Sequence, residues 1–164
     1  MMSTTPREWS WRSAVDRLVI DASVVIASLL PDEPYRAASL RILKEFFSGR
    51  LELFAPLLLQ FEITNALWTA IFRDRTKLKD AQEALRQFES FNLPQRRVAT
   101  PEILRTADAY DRSAYDAAYL ALAESEQIPL VTADKRLYNA IKDRSSLILW
   151  VEAFAPTPPC IAFS

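Results

Sequence analysis

Four carboxylates in this 164-residue sequence stand where they could bind a divalent metal ion, namely Asp21, Glu62, Asp116 and Asp134. Two follow short apolar runs that predict buried strands, and two lie in apolar stretches with helical spacing. Carboxylate oxygens without histidine or thiolate partners favour Mg²⁺ or Mn²⁺ over zinc or copper. Because clustered carboxylates repel one another, they need a cation to stay ionised. The four acids therefore predict a metal-assisted reaction in one acidic pocket.

The residue types that the sequence lacks exclude several other kinds of catalysis. It contains no histidine, which excludes Ser-His-Asp and Cys-His machinery and zinc sites built on imidazole. Cys160 is the only cysteine, so an intramolecular disulfide and a thiolate cluster are excluded. Gly49 is the only glycine, which excludes the glycine-rich phosphate-binding loops. If the chain acts on phosphate, carboxylates and a metal ion must do the chemistry.

Three of the acids also have a purely structural interpretation. An aspartate after a strand, such as Asp21 or Asp134, commonly serves as a turn or helix-cap residue. Ser113 and Asp116 match the spacing of a helix-capping arrangement. Taken singly, these residues leave capping and metal binding as open alternatives.

Glu62 is more informative because of its surroundings. At helical spacing, Glu62, Asn65 and Thr69 form one polar stripe on an otherwise apolar helix. A carboxylate in such a place needs a partner, a cleft or a metal ion, since burying it alone costs several kcal/mol or shifts its pKa. The alternative is that this stripe simply faces solvent.

The elements that must position these acids follow from apolar spacing. Strands are predicted at 17–20, 51–55, 97–99, 128–131 and 147–151. Helices are predicted at 34–48, 56–73, 77–91, from Pro101 onward, 113–126 and 135–141, with Gly49 ending the first of them. The helices 56–73 and 77–91 are expected to form a protruding hairpin. This alternation predicts a three-layer α/β/α fold with a central parallel sheet and a ligand crevice at the carboxyl ends of its strands.

Composition predicts a single domain. It also predicts that any binding of nucleic acid depends on local groups of basic side chains. The domain is expected over residues 17–155, with an N-terminal extension at 1–16, whose Trp9 and Trp11 could dock on it, and a Pro-rich tail at 156–164. Because 20 basic residues nearly balance 21 acidic ones, no global positive field attracts nucleic acid. The apolar runs are shorter than the roughly 18 residues of a membrane span. A cytoplasmic protein without membrane contact is expected.

Four segments resemble the PIN-domain ribonucleases, most closely the VapC-type toxins of prokaryotic toxin–antitoxin pairs. The similarity extends from about Leu18 to Phe154. In family order, the segments are Val-Ile-Asp-Ala-Ser at 19–23, Glu-Ile-Thr-Asn-Ala-Leu at 62–67, Ser-Ala-Tyr-Asp-Ala-Ala-Tyr-Leu-Ala-Leu-Ala at 113–123, and Leu-Val-Thr-Ala-Asp at 130–134. Each segment alone is weakly specific, but four in this order are characteristic.

The resemblance implies a Rossmann-like PIN fold and a Mg²⁺- or Mn²⁺-dependent endoribonuclease. It implies that Asp21, Glu62, Asp116 and Asp134 are the acidic metal ligands and that Ser23, Asn65 and Thr132 support them. Asp21 and Asp116 are the preferred direct ligands, with the other two partly water-mediated. The resemblance also implies an RNA substrate, homodimerisation and neutralisation by a VapB-type antitoxin.

RNA would have to be held by local basic side chains, for which the candidates are Arg73, Arg75, Lys77, Lys79, Arg112, Lys135 and Arg136. Solvated helix faces are the competing explanation for most of them.

Two other functions remain as alternatives. One is a non-catalytic PIN-like interaction module. The other is a phosphohydrolase with Asp21 as nucleophile, which the segment Asp-Ala-Ser-Val disfavours because it lacks the second aspartate of such loops.

Overall fold

Strands and helices alternate along residues 16–156, which are the residues that the computed structural model describes. The strands are β1 (Asp16–Ile20), β2 (Leu51–Pro56), β3 (Gln95–Arg96), β4 (Leu130–Thr132) and β5 (Ile148–Trp150). The helices are α1 (Ala22–Leu29), α2 (Arg36–Phe47), α3 (Leu59–Phe72), α4 (Leu78–Ser90), α5 (Thr100–Tyr110), α6 (Ala114–Glu126) and α7 (Lys135–Ile141). A short 3₁₀ turn, Val151–Ala153, follows β5.

The strands form one parallel sheet in the order β3-β2-β1-β4-β5. The central strand β1 ends in Leu18, Val19 and Ile20, all almost completely buried. Because connections between parallel strands are right-handed, α1 to α4 cover one face of the sheet and α5 to α7 cover the other. The predicted three-layer α/β/α fold with its parallel sheet is confirmed. Since Ile20 pairs with Val131, the carboxyl ends of β1 and β4 lie side by side.

Most predicted elements are found with their ends shifted by at most two residues. Gly49 has a φ of 74° just after α2, as expected for a residue that ends a helix. The helix α1 was not predicted. Its sequence, Ala-Ser-Val-Val-Ile-Ala-Ser-Leu, is apolar almost throughout and rich in β-branched residues, so it lacks a helical period.

Two predictions about the region around β2 were wrong. Pro56 was expected to open a helix, but it is the last residue of β2, and α3 begins only at Leu59. The third strand was expected at 97–99, but β3 is Gln95–Arg96, because pairing with β2 starts where Ala55 N donates to Pro94 O. Leu57 N then donates to Arg96 O, which ends the pairing.

The predicted extension and tail, including Trp9, Trp11 and Cys160, lie outside the described residues, apart from Asp16, which begins β1, and Pro156. Within the described range, none of the helices has both the length and the apolar character needed to cross a membrane.

Thr106 of α5 offers a test of packing away from the acids. Its side chain is completely buried, and its hydroxyl has no hydrogen-bond partner among residues 16–156. Thr106→Val keeps the shape and removes an unpaired polar group, so the free energy of unfolding is expected to rise by roughly 1 kcal/mol in urea titrations. Thr64→Val, at an exposed hydroxyl on α3, serves as the control. A loss of stability in Thr106→Val would contradict the prediction.

Candidate active site

Asp21 lies at the junction of the central strand and α1. Its backbone is extended, with φ −72° and ψ 148°, and it occupies the N-cap position of α1. Only 7% of the residue is exposed. Its Oδ2 accepts hydrogen bonds from Ser23 Oγ and from Thr132 Oγ1, the latter at 2.9 Å. Burial raises the pKa of this carboxyl. The two hydroxyls lower the pKa, and the charges of Asp134 and Asp116 raise it.

Ser23 and Thr132 join the ends of β1 and β4 around this carboxylate. Ser23 Oγ accepts from Ala133 N at 2.9 Å, and Thr132 Oγ1 accepts from Asp134 N at 3.0 Å. The two hydroxyl oxygens are 3.3 Å apart. Both hydroxyls therefore orient Asp21 while satisfying backbone donors at the start of the loop that carries Asp134.

Glu62 approaches the same crevice from the first turn of α3. Its Oε2 accepts a hydrogen bond from the hydroxyl of Tyr119, a nearly fully buried residue of α6. Burial raises the pKa of Glu62 to about 7. The Tyr119 bond lowers this pKa, and the charges of Asp21 and Asp116 raise it. The expectation that this polar position needs a partner is confirmed.

Tyr119 was not predicted as a site residue. It stands three residues after Asp116, so helical spacing puts both on one face of α6 and could have identified it. Burial and the charges of Asp21 and Glu62 raise the pKa of the Tyr119 phenol, which therefore stays protonated and donates to Glu62.

Asp116 both starts a helix and faces two arginines. Its backbone N–H donates to Ser113 Oγ at 3.2 Å, so the predicted capping arrangement is present. Its Oδ2 lies 3.0 Å from Arg112 Nη2 and 3.7 Å from Arg136 Nη2. Asp116 therefore takes part in the helix cap and also lies in the acidic crevice.

Asp134 is the N-cap of α7. Its Oδ1 accepts from the backbone N–H groups of Arg136, at 2.9 Å, and Leu137, at 3.2 Å. Its Oδ2 lies 3.3 Å from Arg136 Nη2, so Arg136 bridges Asp134 and Asp116. The fourth acid is thus next to the third, although it has a structural role of its own.

Asn65 lies on the exposed side of α3, one turn after Glu62. Within residues 16–156 its side chain makes no hydrogen bond to the four acids, and it lines a groove of about 1010 Å³ between α3 and α4. Its supporting role stays a prediction.

The four acids share one crevice at the carboxyl ends of β1 and β4. The charges of Asp116 and Asp134 act on Asp21, and those of Asp21 and Asp116 act on Glu62. Among residues 16–156, no three acidic side chains form a closed set of metal ligands as they stand. Asp116 instead faces Arg112. The oxygen donors fit a hard divalent ion, but side chains must turn before they can enclose one.

Comparison with known proteins agrees with this geometry. Residues 18–142 match the family model described as PIN domain. The chain belongs to the PIN-domain family. This PIN domain is 30% identical to Ribonuclease VapC3 of Pyrobaculum aerophilum over 74% of the chain and 92% of that relative. It is 30% identical to Ribonuclease VapC1 of Mycobacterium tuberculosis over 77% of the chain and 92% of that relative. The predicted VapC-type membership is confirmed.

A solved structure has a similar fold. The PIN domain is similar to the crystal structure of PAE2754 from Pyrobaculum aerophilum, with a TM-score of 0.63 and 26% sequence identity. The similarity covers 90% of this chain and 93% of that one. The acids of the crevice all lie within the segment that matches the family model.

The basic side chains predicted to hold RNA fall into three groups. Arg75 is held by Asp32 and Glu33 at 2.9 and 2.7 Å, away from the crevice. Arg112 and Arg136 lie at the acids. The rest of the predicted set are exposed on helix ends and turns, namely Arg73, Lys77, Lys79 and Lys135.

Proposed function

We propose that this chain is a Mg²⁺- or Mn²⁺-dependent endoribonuclease and the toxin of a type II toxin–antitoxin system. The observation that carries the proposal is the crevice in which Asp21, Glu62, Asp116 and Asp134 meet at the carboxyl ends of β1 and β4. Membership of the PIN-domain family and similarity to VapC ribonucleases support nuclease chemistry.

Two acids of this crevice, Asp21 and Glu62, have no positively charged partner among residues 16–156. Neither Asp21 nor Glu62 forms an ion pair with a basic residue in the described part of the chain, and each raises the pKa of a neighbour. Asp21 and Asp116 are the proposed direct ligands, and Glu62 and Asp134 the more distant ones. A bound divalent ion would supply Lewis-acid polarisation of the scissile phosphate and activation of water.

The surrounding residues prepare the acids for this role. Ser23 and Thr132 fix the orientation of Asp21 through its Oδ2. Tyr119 fixes Glu62, whose pKa of about 7 lets it accept a proton from the attacking water near neutral pH. Glu62 is therefore the proposed general base, since a carboxyl with a pKa of about 7 can change protonation state near neutral pH.

The proposed partners are RNA as substrate, a VapB-type antitoxin and a second copy of the chain, all in the cytoplasm. The VapC relatives support the first two. Exposed apolar surface on α3 supports homodimerisation. On this helix, Phe61, Trp68 and Phe72 are 70%, 58% and 74% exposed. Such a contact would remove these aromatic rings from water.

The test is RNA cleavage by the purified protein with Mg²⁺ or Mn²⁺ and with EDTA. Cleavage is expected only with the metal ion, and Asp21→Asn with Asp116→Asn is expected to abolish it while circular dichroism shows a folded protein. A matched pair of exposed changes, Asp80→Asn with Asp108→Asn, removes the same charge elsewhere and should leave cleavage unchanged. Equal cleavage by the folded acid variant would refute the proposal. A wild type inactive on messenger, transfer and ribosomal RNA would favour the interaction module.

A further inference from the structure

Arg112 is the most enclosed arginine in the ion pairs of residues 16–156. Its side chain is 16% exposed and that of its partner Asp116 is 17% exposed, whereas the other paired arginines are at least 35% exposed. A guanidinium that is largely withdrawn from water and directed at an acidic crevice is more than a solvated surface charge. Its position suits a residue that takes part in the proposed reaction of that crevice.

The backbone holds Arg112 in this position from both sides. Helix α5 ends at Tyr110, and its C-cap residue Asp111, with a φ of 51°, turns the chain. Arg112 N then donates to Ala107 O at 3.1 Å. Ser113 then caps α6. Arg112 is thus fixed in the turn between two helices, four residues before Asp116.

Two guanidinium groups converge on a single oxygen of Asp116. Arg112 approaches Oδ2 with Nη2 at 3.0 Å and Nε at 3.3 Å, and Arg136 Nη2 lies 3.7 Å away. One carboxylate therefore has two cationic neighbours, while Asp21 and Glu62 have none among the described residues. The positive charge of the site is concentrated at the acid that a metal ion would also need.

We propose that Arg112 is a phosphate-binding residue that exchanges partners: it pairs with Asp116 until a divalent ion binds this acid, and it then donates to a phosphate oxygen of the RNA. The inference rests on the proposed function. A guanidinium fork binds carboxylate and phosphate oxygens with the same planar geometry. A divalent ion held by Asp116 would repel the guanidinium, which would then be free to donate to an anionic phosphate oxygen.

Arg112 suits this role better than its neighbour Arg136. The side chain of Arg136 is 68% exposed and is shared between Asp116 and Asp134, so water and salt screen its charge. Arg112 is largely shielded, and it loses little side-chain freedom when it binds a phosphate. Water and salt therefore screen its charge less than that of Arg136.

The proposal is tested with two binding measurements on the full chain. Calorimetry gives the affinity for Mn²⁺ without RNA. Fluorescence anisotropy gives the affinity for a labelled 2′-O-methyl RNA oligonucleotide in Ca²⁺, with its integrity checked on a gel. For Arg112→Gln, Mn²⁺ is expected to bind about tenfold more tightly because a competing cation is gone. The oligonucleotide is expected to bind about tenfold more weakly, with a salt slope smaller by about 0.7.

Two further variants make the result specific. Arg112→Lys keeps the charge but loses the fork, so Mn²⁺ affinity should stay near wild type while oligonucleotide affinity falls about threefold. Arg105→Gln removes a positive charge from α5 that pairs with Glu102 and Glu124, and both affinities should stay within about twofold of wild type. If Arg112→Gln does not fold, the lysine variant decides the question.

Four outcomes would overturn the proposal. Weaker Mn²⁺ binding by Arg112→Gln would mean that Arg112 positions Asp116 as a ligand instead of competing with the metal ion. Unchanged oligonucleotide affinity would mean that Arg112 does not reach the phosphate. A wild type that neither binds Mn²⁺ nor cleaves RNA would refute the proposed function together with this inference. If the wild type cleaves RNA and Arg112→Gln has the wild-type affinities for Mn²⁺ and for the oligonucleotide, the inference alone is refuted.

Discussion

Replacing Asp21 with asparagine is expected to lower RNA cleavage by about a thousandfold or more and to make the metal-free protein more stable. Activity is lost because a neutral amide cannot replace a carboxylate ligand. Burial raises the pKa of Asp21, which shows that its negative charge is unfavourable in the folded protein, where no cation pairs with it among residues 16–156. The variant is more stable because the amide does not carry this charge. The gain is expected to be roughly 1 kcal/mol, since Ser23 and Thr132 can still bond to an amide oxygen.

Single-turnover cleavage and thermal unfolding in EDTA measure the two effects on the same samples. Asp108→Asn, at an exposed position of α5, removes the same charge away from the crevice and should change neither quantity. A folded Asp21→Asn protein that cleaves RNA at the wild-type rate would show that Asp21 is not in the reacting site. A less stable variant would show that the hydrogen bonds from Ser23 and Thr132 outweigh the cost of burial.

The positions of Asp21 and Asp134 could be predicted because they depend on strands alone. Short apolar runs predicted β1 and β4, and parallel strands bring their carboxyl ends to one edge of the sheet. The acids on helices depended on spacing within one element, which predicted a polar stripe at Glu62. The cap interpretations were correct for Ser113 and Asp134, which do cap helices, whereas the side chain of Asp21 makes no capping hydrogen bond. A side chain that caps a helix can therefore also lie among the other acids.

Contacts between distant elements could not be predicted from the same patterns. Tyr119 meets Glu62 across a separation of 57 residues, although α6 and α3 lie on opposite faces of the sheet. Only the tertiary fold brings the two side chains together at the edge of the sheet. The helix α1 was missed because uniform burial removes the period by which an amphipathic helix is recognised. The ion pair of Arg112 was missed for a different reason. Its spacing to Asp116 is helical, but Arg112 lies in a turn before α6 begins.

The metal-free protein is expected to lose stability as the pH rises from about 4.5 to about 7, owing to Glu62. Burial raises the pKa of this carboxyl from its ordinary 4.5 to about 7 in the folded state. Between these values the folded protein holds a proton that the unfolded chain has released, so the free energy of unfolding falls with rising pH. The stabilisation is complete below pH 4.5 and absent above pH 7. About 1.4 kcal/mol per pKa unit gives about 3 kcal/mol, which partial exposure reduces to roughly 2 kcal/mol.

Urea titrations in EDTA from pH 4.5 to 8 measure this effect as the difference between wild type and Glu62→Gln, which cannot titrate. Carboxyls away from the crevice affect both proteins alike, so the difference reports on Glu62 together with its coupling to Asp21 and Asp116. Glu83→Gln, whose side chain is 73% exposed on α4, should follow the wild type. Parallel curves for wild type and Glu62→Gln would contradict the raised pKa. At pH 8, Mg²⁺ should stabilise the wild type more than Glu62→Gln. The Glu62 carboxylate has then lost its proton and can bind the metal ion.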